Sequence, residues 1–170
     1  MARAASARLY AEPALVKDFF RPYLYLDDDI LAAKKLQRAA VAAALANELE
    51  NVKGIGGAVT AQEALSGELQ GLDAAVARNH HPQRSGDIYL YQAEHWFMFD
   101  DGPIAAMHGS PWDYDTHVPI VFAGPGIEPA SVKRLVHPVD VAPTLAALLG
   151  LPAPAAAQGS ALVEVTGAKP

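Results

Sequence analysis

Two histidines and two aspartates are concentrated in residues 108–126, whose sequence is HGSPWDYDTHVPIVFAGPG. Imidazole is the commonest protein ligand for zinc and related cations, and the glycine after His108 leaves room for an ion or a substrate. His108 is therefore the first candidate metal ligand. Asp115 and His117 are two residues apart, so in a strand both would point to one face, where the carboxylate could orient an imidazole. The alternative for His117 is a hydrogen-bonded residue at the entry of a strand.

The elements around this stretch must hold it in place. Residues 120–123 form a short apolar run that ends at a Gly-Pro-Gly turn, a pattern that predicts a buried strand. Residues 100–103, Asp-Asp-Gly-Pro, are predicted to turn the chain toward His108. Trp112 and Tyr114 alternate with aspartates, so we expect their aromatic face to pack onto the body of the domain and to fix the loop.

Upstream, apolar strands alternate with helical patterns. Residues 22–26 and 88–91 are predicted strands, and residues 30–52 have apolar side chains at the spacing of one amphipathic helix. The cluster that begins with Asp27 invites a metal-site interpretation, but a turn that caps the next helix explains it more simply. Thr60 with Glu63 matches a capping box. Alternating elements of this kind favour an α/β fold with a largely central sheet.

Downstream of the histidine-containing stretch, the sequence predicts two further strands and a helix. The strands cover residues 132–137 and, at an edge, residues 159–165. Asp140 is predicted to cap the helix, and Gly150 to end it. The apolar stripe of this helix is predicted to be buried and consists of Val141, Leu145, Leu148 and Leu149.

Composition limits the possible functions. The chain has 170 residues, 51% of them hydrophobic, which is ordinary for one globular domain. Its net charge of -6 disfavours nucleic-acid polymers and anionic membranes as partners. Because there is no cysteine, disulfides and thiolate metal sites are excluded. The first residues lack the apolar stretch of a signal peptide, and no run has the length of a membrane helix.

The run HGSPWDYDTHVPIVFAGPGI, followed by VHPVDVAPTLAALLGLPAP, resembles the C-terminal part of the alkaline phosphatase superfamily. It is most similar to the type I phosphodiesterase/nucleotide pyrophosphatase-like branch, which has a threonine or serine nucleophile. The resemblance extends back through HHPQRSGDIYLY to PYLYLDDDI. It implies the C-terminal portion of a three-layer αβα sheet fold over residues 22–170, with the nucleophile half absent and residues 1–21 as an N-terminal extension.

The resemblance also implies a function. Family members hydrolyse phosphate esters at a site with two zinc ions, and the histidine of their His-Gly pair, here His108, is one metal ligand. Asp115 and His117 would then be neighbours that shape the loop. The other ligands and the nucleophile lie in the upstream catalytic half, so we expect the chain alone to be inactive unless that half or a complementing chain is its partner. The family is usually periplasmic or extracellular.

Two other interpretations remain. A truncated or split module could act without catalysis, by docking through an apolar face that the missing half normally covers. The segment PVDVAPTLAALLG is shared with sulfatases, so a sulfate-ester hydrolase is the other alternative. A cysteine in the missing nucleophile segment would indicate a sulfatase, and a threonine or serine a phosphatase.

Overall fold

The computed structural model describes residues 1–98 and 108–167. By its internal contacts the chain divides into two compact units, Met1–His117 (unit 1) and Val118–Pro170 (unit 2). The turn predicted at residues 100–103 lies outside the described residues. No helix in the described ranges combines the length and the apolar character that a bilayer crossing requires.

Unit 1 is built on a four-stranded antiparallel sheet. Its strands are β1 (Val16–Phe20), β2 (Tyr23–Leu26), β3 (Ile55–Thr60) and β4 (Ile88–Gln92). Their order across the sheet is β1-β2-β4-β3, so β4 is an interior strand. The strands predicted at residues 22–26 and 88–91 are thus confirmed as β2 and β4.

Helices cover both faces of this sheet. Successive side chains of a strand point to opposite faces, and β4 follows this rule: Ile88 and Leu90 join one apolar cluster, whereas Tyr91 joins the other. The first cluster includes side chains of α1 (Ala2–Tyr10) and α3 (Arg38–Glu50), and the second those of α4 (Ala61–Ser66) and α5 (Gly71–Ala77). The predicted α/β fold and its three-layer αβα arrangement are therefore confirmed in unit 1.

The single helix predicted at residues 30–52 is wrong, because the chain forms two helices there. Helix α2 (Asp28–Ala33) ends where Lys35 adopts a left-handed backbone conformation, φ 53°, and the amide of Leu36 donates to the carbonyl of Leu31 at 2.9 Å. This turn brings Leu36 against the core before α3 begins. Asp27 caps α2, as predicted, by accepting the amide of Ile30 at 3.0 Å.

The first 21 residues supply α1, a 3-10 turn (Pro13–Leu15) and β1. Ala5, Leu15 and Val16 are buried in the first apolar cluster. The capping box predicted at the start of α4 is confirmed, since Thr60 and Glu63 exchange side-chain and backbone hydrogen bonds. Unit 1 ends with one helical turn, α6 (Asp113–Thr116).

Asp87 is a structural residue that the sequence analysis missed. Its carboxylate accepts the amide of Leu26 and the guanidinium of Arg38, both at 2.7 Å, while its own amide donates to the carbonyl of Leu24 at 2.8 Å. A side chain on the preceding Gly86 would lie 2.6 Å from that same Leu24 carbonyl, so only glycine lets β2 approach this closely. Asp87 thus joins the start of β4 to β2 and α3.

Unit 2 is organised around α7 (Val141–Leu148) and one turn, α8 (Val163–Thr166). The Asp140 carboxylate accepts the amides of His137 and Ser160, each at 2.9 Å. The buried Thr144 hydroxyl accepts the amide of Leu162 at 2.9 Å, which ties α7 to the segment before α8. The helix predicted after Asp140 is confirmed, but the predicted cap is wrong, because the Asp140 side chain accepts no amide of this helix. The edge strand predicted at residues 159–165 is also wrong.

Three further predictions for unit 2 are wrong. Neither residues 120–123 nor residues 132–137 form a strand, and the side chain of Val121 is 81% exposed. The apolar stripe of α7 is not buried, since Leu149 is 71% exposed and the buried residues of the helix are on another face. The spacing of apolar residues shows which face of a helix or strand is hydrophobic. Whether that face is buried depends on other parts of the structure that pack against it.

Candidate functional site

Two aromatic side chains fix the loop of residues 108–117 at the end of β4. The indole of Trp112 donates its N–H to the backbone carbonyl of Gln92 at 2.9 Å. The ring of Tyr114 stacks on His95, with 5.1 Å between ring centroids, and its hydroxyl accepts the amide of His95 at 3.3 Å. The prediction that Trp112 and Tyr114 anchor the loop is confirmed.

Asp115 joins the two ends of this loop by a hydrogen bond. Its carboxylate accepts the amide of Ser110 at 2.9 Å. The buried Ser110 hydroxyl lies near the same carboxylate, without full hydrogen-bond geometry to any described group. This hydroxyl, the Ser110 amide and, to a smaller extent, the nearby His108 ring together hold the pKa of Asp115 below its ordinary value. The carboxylate is therefore anionic and within electrostatic reach of the His108 ring.

Asp115 could orient His117 only if this stretch were a strand. Residues 113–116 instead form the helical turn α6, and the amide of His117 donates to the carbonyl of Asp113 at 2.8 Å. Among the described residues no hydrogen bond or ion pair joins Asp115 to His117. The Asp115 carboxylate instead accepts the Ser110 amide, and the exposed His117 lies at the end of the loop.

His108 is one of the residues that line a cleft of about 680 Å3 in unit 1. Trp96 forms part of its wall and packs against Gly54, where an added side chain would be 2.4 Å from the indole ring. The ammonium of Lys53 is 5.6 Å from the centre of that ring. The sequence analysis missed the contact between Gly54 and Trp96, because local sequence patterns do not show that the turn before β3 packs against the segment after β4.

The described residues do not by themselves fit a zinc ion. A zinc site takes at least three protein ligands, even when it is catalytic. Within residues 1–98 and 108–167, no group of three or more histidine, aspartate and glutamate side chains is placed to hold a metal. His108 and Asp115 therefore lack further ligands among these residues.

No family model matches the chain, but several known proteins do. It is 31% identical over 141 residues to a protein of Myroides odoratus named calcium-transporting ATPase, a match that covers 82% of the chain and 26% of that protein. It is 28% identical over 151 residues to alkaline phosphatase PafA of Elizabethkingia meningoseptica, which covers 85% of the chain and 26% of PafA. The chain thus spans about a quarter of these relatives.

The crystal structure of wild-type PafA has the same fold, with a TM-score of 0.85 and 23% sequence identity over 97% of this chain and 32% of that chain. Other relatives are named alkaline phosphatases of Sphingomonas and Zymomonas mobilis and an extracellular sulfatase homologue of Caenorhabditis elegans. The chain belongs to the alkaline phosphatase superfamily of phosphate- and sulfate-ester hydrolases, and it matches the C-terminal part of its members.

Proposed function

We propose that this chain is part of a zinc-dependent phosphate-ester hydrolase and that His108 supplies one ligand to its metal site. The observation that carries the proposal is the placement of His108. Its loop is fastened to β4 through Trp112 and is closed by the hydrogen bond that the Ser110 amide donates to Asp115. An imidazole that ligates a metal needs a fixed orientation, and a fastened loop helps to provide it. The names of the phosphatase relatives support the reaction class.

The partner of this chain is the upstream catalytic half of the same enzyme, or a second chain that replaces it. Two observations support this part of the proposal. The chain spans 26% of PafA, and unit 2 exposes large apolar side chains such as Val121, Leu135 and Leu149. Three or more ligands are needed around zinc, so the remaining ligands and the nucleophile come from this partner. The names of two sulfatase relatives support an extracellular location, and a periplasmic one remains the other part of this proposal.

The chain alone is expected to be inactive. Purified chain with added zinc should hydrolyse p-nitrophenyl phosphate no faster than buffer, because one imidazole does not retain a metal ion. Zinc-dependent, chelator-sensitive hydrolysis by the isolated chain that disappears in His108→Ala would refute this expectation.

A chimera tests the role of His108 directly. This chain would replace the matching segment of PafA, and hydrolysis and bound zinc would be measured on the purified chimera. We expect His108→Ala to lower both the activity and the zinc content, whereas His117→Ala should leave the zinc content unchanged. A folded chimera whose zinc content is the same with and without the His108 imidazole would contradict the proposal.

The matches to extracellular sulfatases favour one alternative, a sulfate-ester hydrolase. The same chimera cannot decide this, because its nucleophile would come from PafA. The coding sequence upstream of this chain decides it: a cysteine in the nucleophile segment would support the sulfatase, and a threonine or serine the phosphatase.

The exposed apolar side chains of unit 2 favour the other alternative, a non-catalytic interaction module. Concentration-dependent self-association and dye binding to apolar surface, without zinc retention in any chimera, would support it. Zinc retention that depends on His108 would exclude it.

A further inference from the structure

We propose that β1 is a strand edge suited to pairing with a second copy of this chain, and that the side chains of Arg3 and Asp18 keep this edge closed. The inference goes beyond the proposed function and involves no metal. In the sheet of unit 1 the edge strands are β1 and β3. An open strand edge presents unpaired N–H and C=O groups, which pair readily with a strand of another molecule.

Arg3 occupies two backbone carbonyls of β1. Its guanidinium, in the first turn of α1, donates to the carbonyl of Val16 at 3.3 Å and to that of Lys17 at 3.1 Å. The pairing of β1 with β2 shifts its register between Val16 and Asp18, so the strand is irregular at this point. A bulge of this kind leaves backbone groups outside the ladder, and Arg3 binds two of them. Neither carbonyl is then free to accept from an added strand.

Asp18 closes the next part of β1. Its carboxylate accepts the amide of Phe19 at 2.8 Å, so this donor is also occupied. The side chain of Asp18 is exposed. If two β1 strands paired antiparallel about Asp18, their two carboxylates would lie opposite each other, and like charges in that position destabilise a strand pair. Asp18 therefore opposes pairing both by its hydrogen bond and by its charge.

The opposite edge of the sheet shows the same arrangement. In β3 the amides of Ala58 and Thr60 donate to the carboxylates of Glu50 and Glu63, at 3.3 and 2.9 Å. Backbone amides two positions apart in a strand point to the same side, so both glutamates act on one edge. Ionised side chains thus bind the backbone of both edge strands.

Accessibility makes β1 the edge that another molecule can reach. Residues 57–60 of β3 are buried, whereas Lys17, Asp18 and Phe20 of β1 are exposed. A second copy of this chain is the partner that fits, because two identical strands pair antiparallel about a twofold axis and present the same edge to each other. Main-chain hydrogen bonds supply most of the affinity of such a contact.

Self-association of the purified Arg3→Ala variant tests the proposal. Sedimentation velocity measures association over a range of concentrations, and hydrogen exchange of the β1 amides shows whether this strand takes part. In the original chain, exchange of these amides should not depend on concentration. Freeing two carbonyls should strengthen the edge contact by about tenfold, so that in Arg3→Ala the β1 amides exchange more slowly as the concentration rises.

Variants of Asp18 give a second route to the same result. Asp18→Ala frees the Phe19 amide and removes the opposing charge, so it should also make β1 exchange dependent on concentration. Asp18→Asn keeps an acceptor oxygen for this amide and should associate less than Asp18→Ala. The matched control is Arg8→Ala, because Arg8 lies on the same helix as Arg3 but binds the side chain of Glu48. This control should behave like the original chain.

The proposal is overturned if neither Arg3→Ala nor Asp18→Ala makes β1 exchange dependent on concentration, or if Arg8→Ala does so equally. Association that leaves β1 exchange unchanged also overturns it, because the contact then lies elsewhere, for example on the exposed leucines of unit 2. None of these results affects the proposed function, whose chimera measures zinc retention by His108.

Discussion

The two units of this chain use their apolar residues differently. In unit 1, leucines of the central helix such as Leu45 and Leu49 are completely buried, and both faces of the sheet are covered. In unit 2, polar contacts of Asp140 and Thr144 hold the helix, while leucines of the same helix and its cap are exposed. The difference shows that unit 1 buries its apolar residues in a core of its own, whereas unit 2 does not bury the apolar face of its helix by its own residues.

The strongest test of this comparison uses one leucine from each unit, both near the end of an alanine-rich helix. Leu49→Ala should lower the free energy of unfolding by about 2–5 kcal/mol, because it leaves a cavity in a closed core. Leu149→Ala should change it by less than about 0.5 kcal/mol, because the side chain is exposed. Urea denaturation measures both, and equal losses would show that the two units are packed alike.

A smaller effect is expected from Asp87, which joins β2, β4 and α3 in unit 1. Asp87→Ala leaves the Leu26 amide and Arg38 without their acceptor, so the free energy of unfolding should fall by about 2–3 kcal/mol. Asp87→Asn keeps one acceptor oxygen and should lose less. If the two variants are equally stable, the carboxylate does not join these elements.

The loop of His108 is expected to respond to pH through Asp115. The pKa of Asp115 lies below its ordinary value, so its bond to the Ser110 amide is fully present above the unfolded value of about 3.9 and is lost as the pH falls through the depressed pKa. The chemical shift of the Ser110 amide should report this midpoint, and Asp115→Asn should abolish it. Asp113→Asn is the control, and a midpoint that disappears there too would argue against this assignment.

The smallest effect concerns the ion pair of unit 2. Arg134 binds Glu164 through two hydrogen bonds, at 2.6 and 2.7 Å, and lowers the pKa of Glu164 to about 2. The contribution of this pair is therefore present above the ordinary glutamate value and is lost only as the pH falls through about 2. In an NMR titration, Arg134→Gln should raise the Glu164 midpoint toward about 4.3. An unchanged midpoint would exclude the pair in solution.

Local signals in the sequence predicted local structure. The Asp27 cap, the Thr60 capping box and the strands at residues 22–26 and 88–91 depend on neighbouring residues, and the structure confirms them. The strands predicted at residues 120–123 and 132–137 failed, because a strand also needs a partner and apolar composition does not supply one.

In the candidate site, too, some contacts were predicted from the local sequence and others were not. The anchoring role predicted for Trp112 and Tyr114 is confirmed, although the common aromatic face inferred from their alternation with aspartates requires an extended chain and residues 113–116 form a helical turn. The contact of Asp115 with Ser110 was not, since it depends on whether residues 113–116 are a strand or a helical turn. The meeting of Gly54 with Trp96 joins distant parts of the sequence, and no local pattern carries that information.

The bond between Trp112 and Gln92 has a practical consequence for engineering. It attaches the His108 segment to β4, an interior strand that is paired with β2 on one side and with β3 on the other. Residues next to Trp112 in this segment can therefore be exchanged or randomised while the sheet that presents them keeps its strand pairing. The segment is suited to grafting and directed evolution, provided that Trp112 is kept and its indole N–H can still donate to the Gln92 carbonyl.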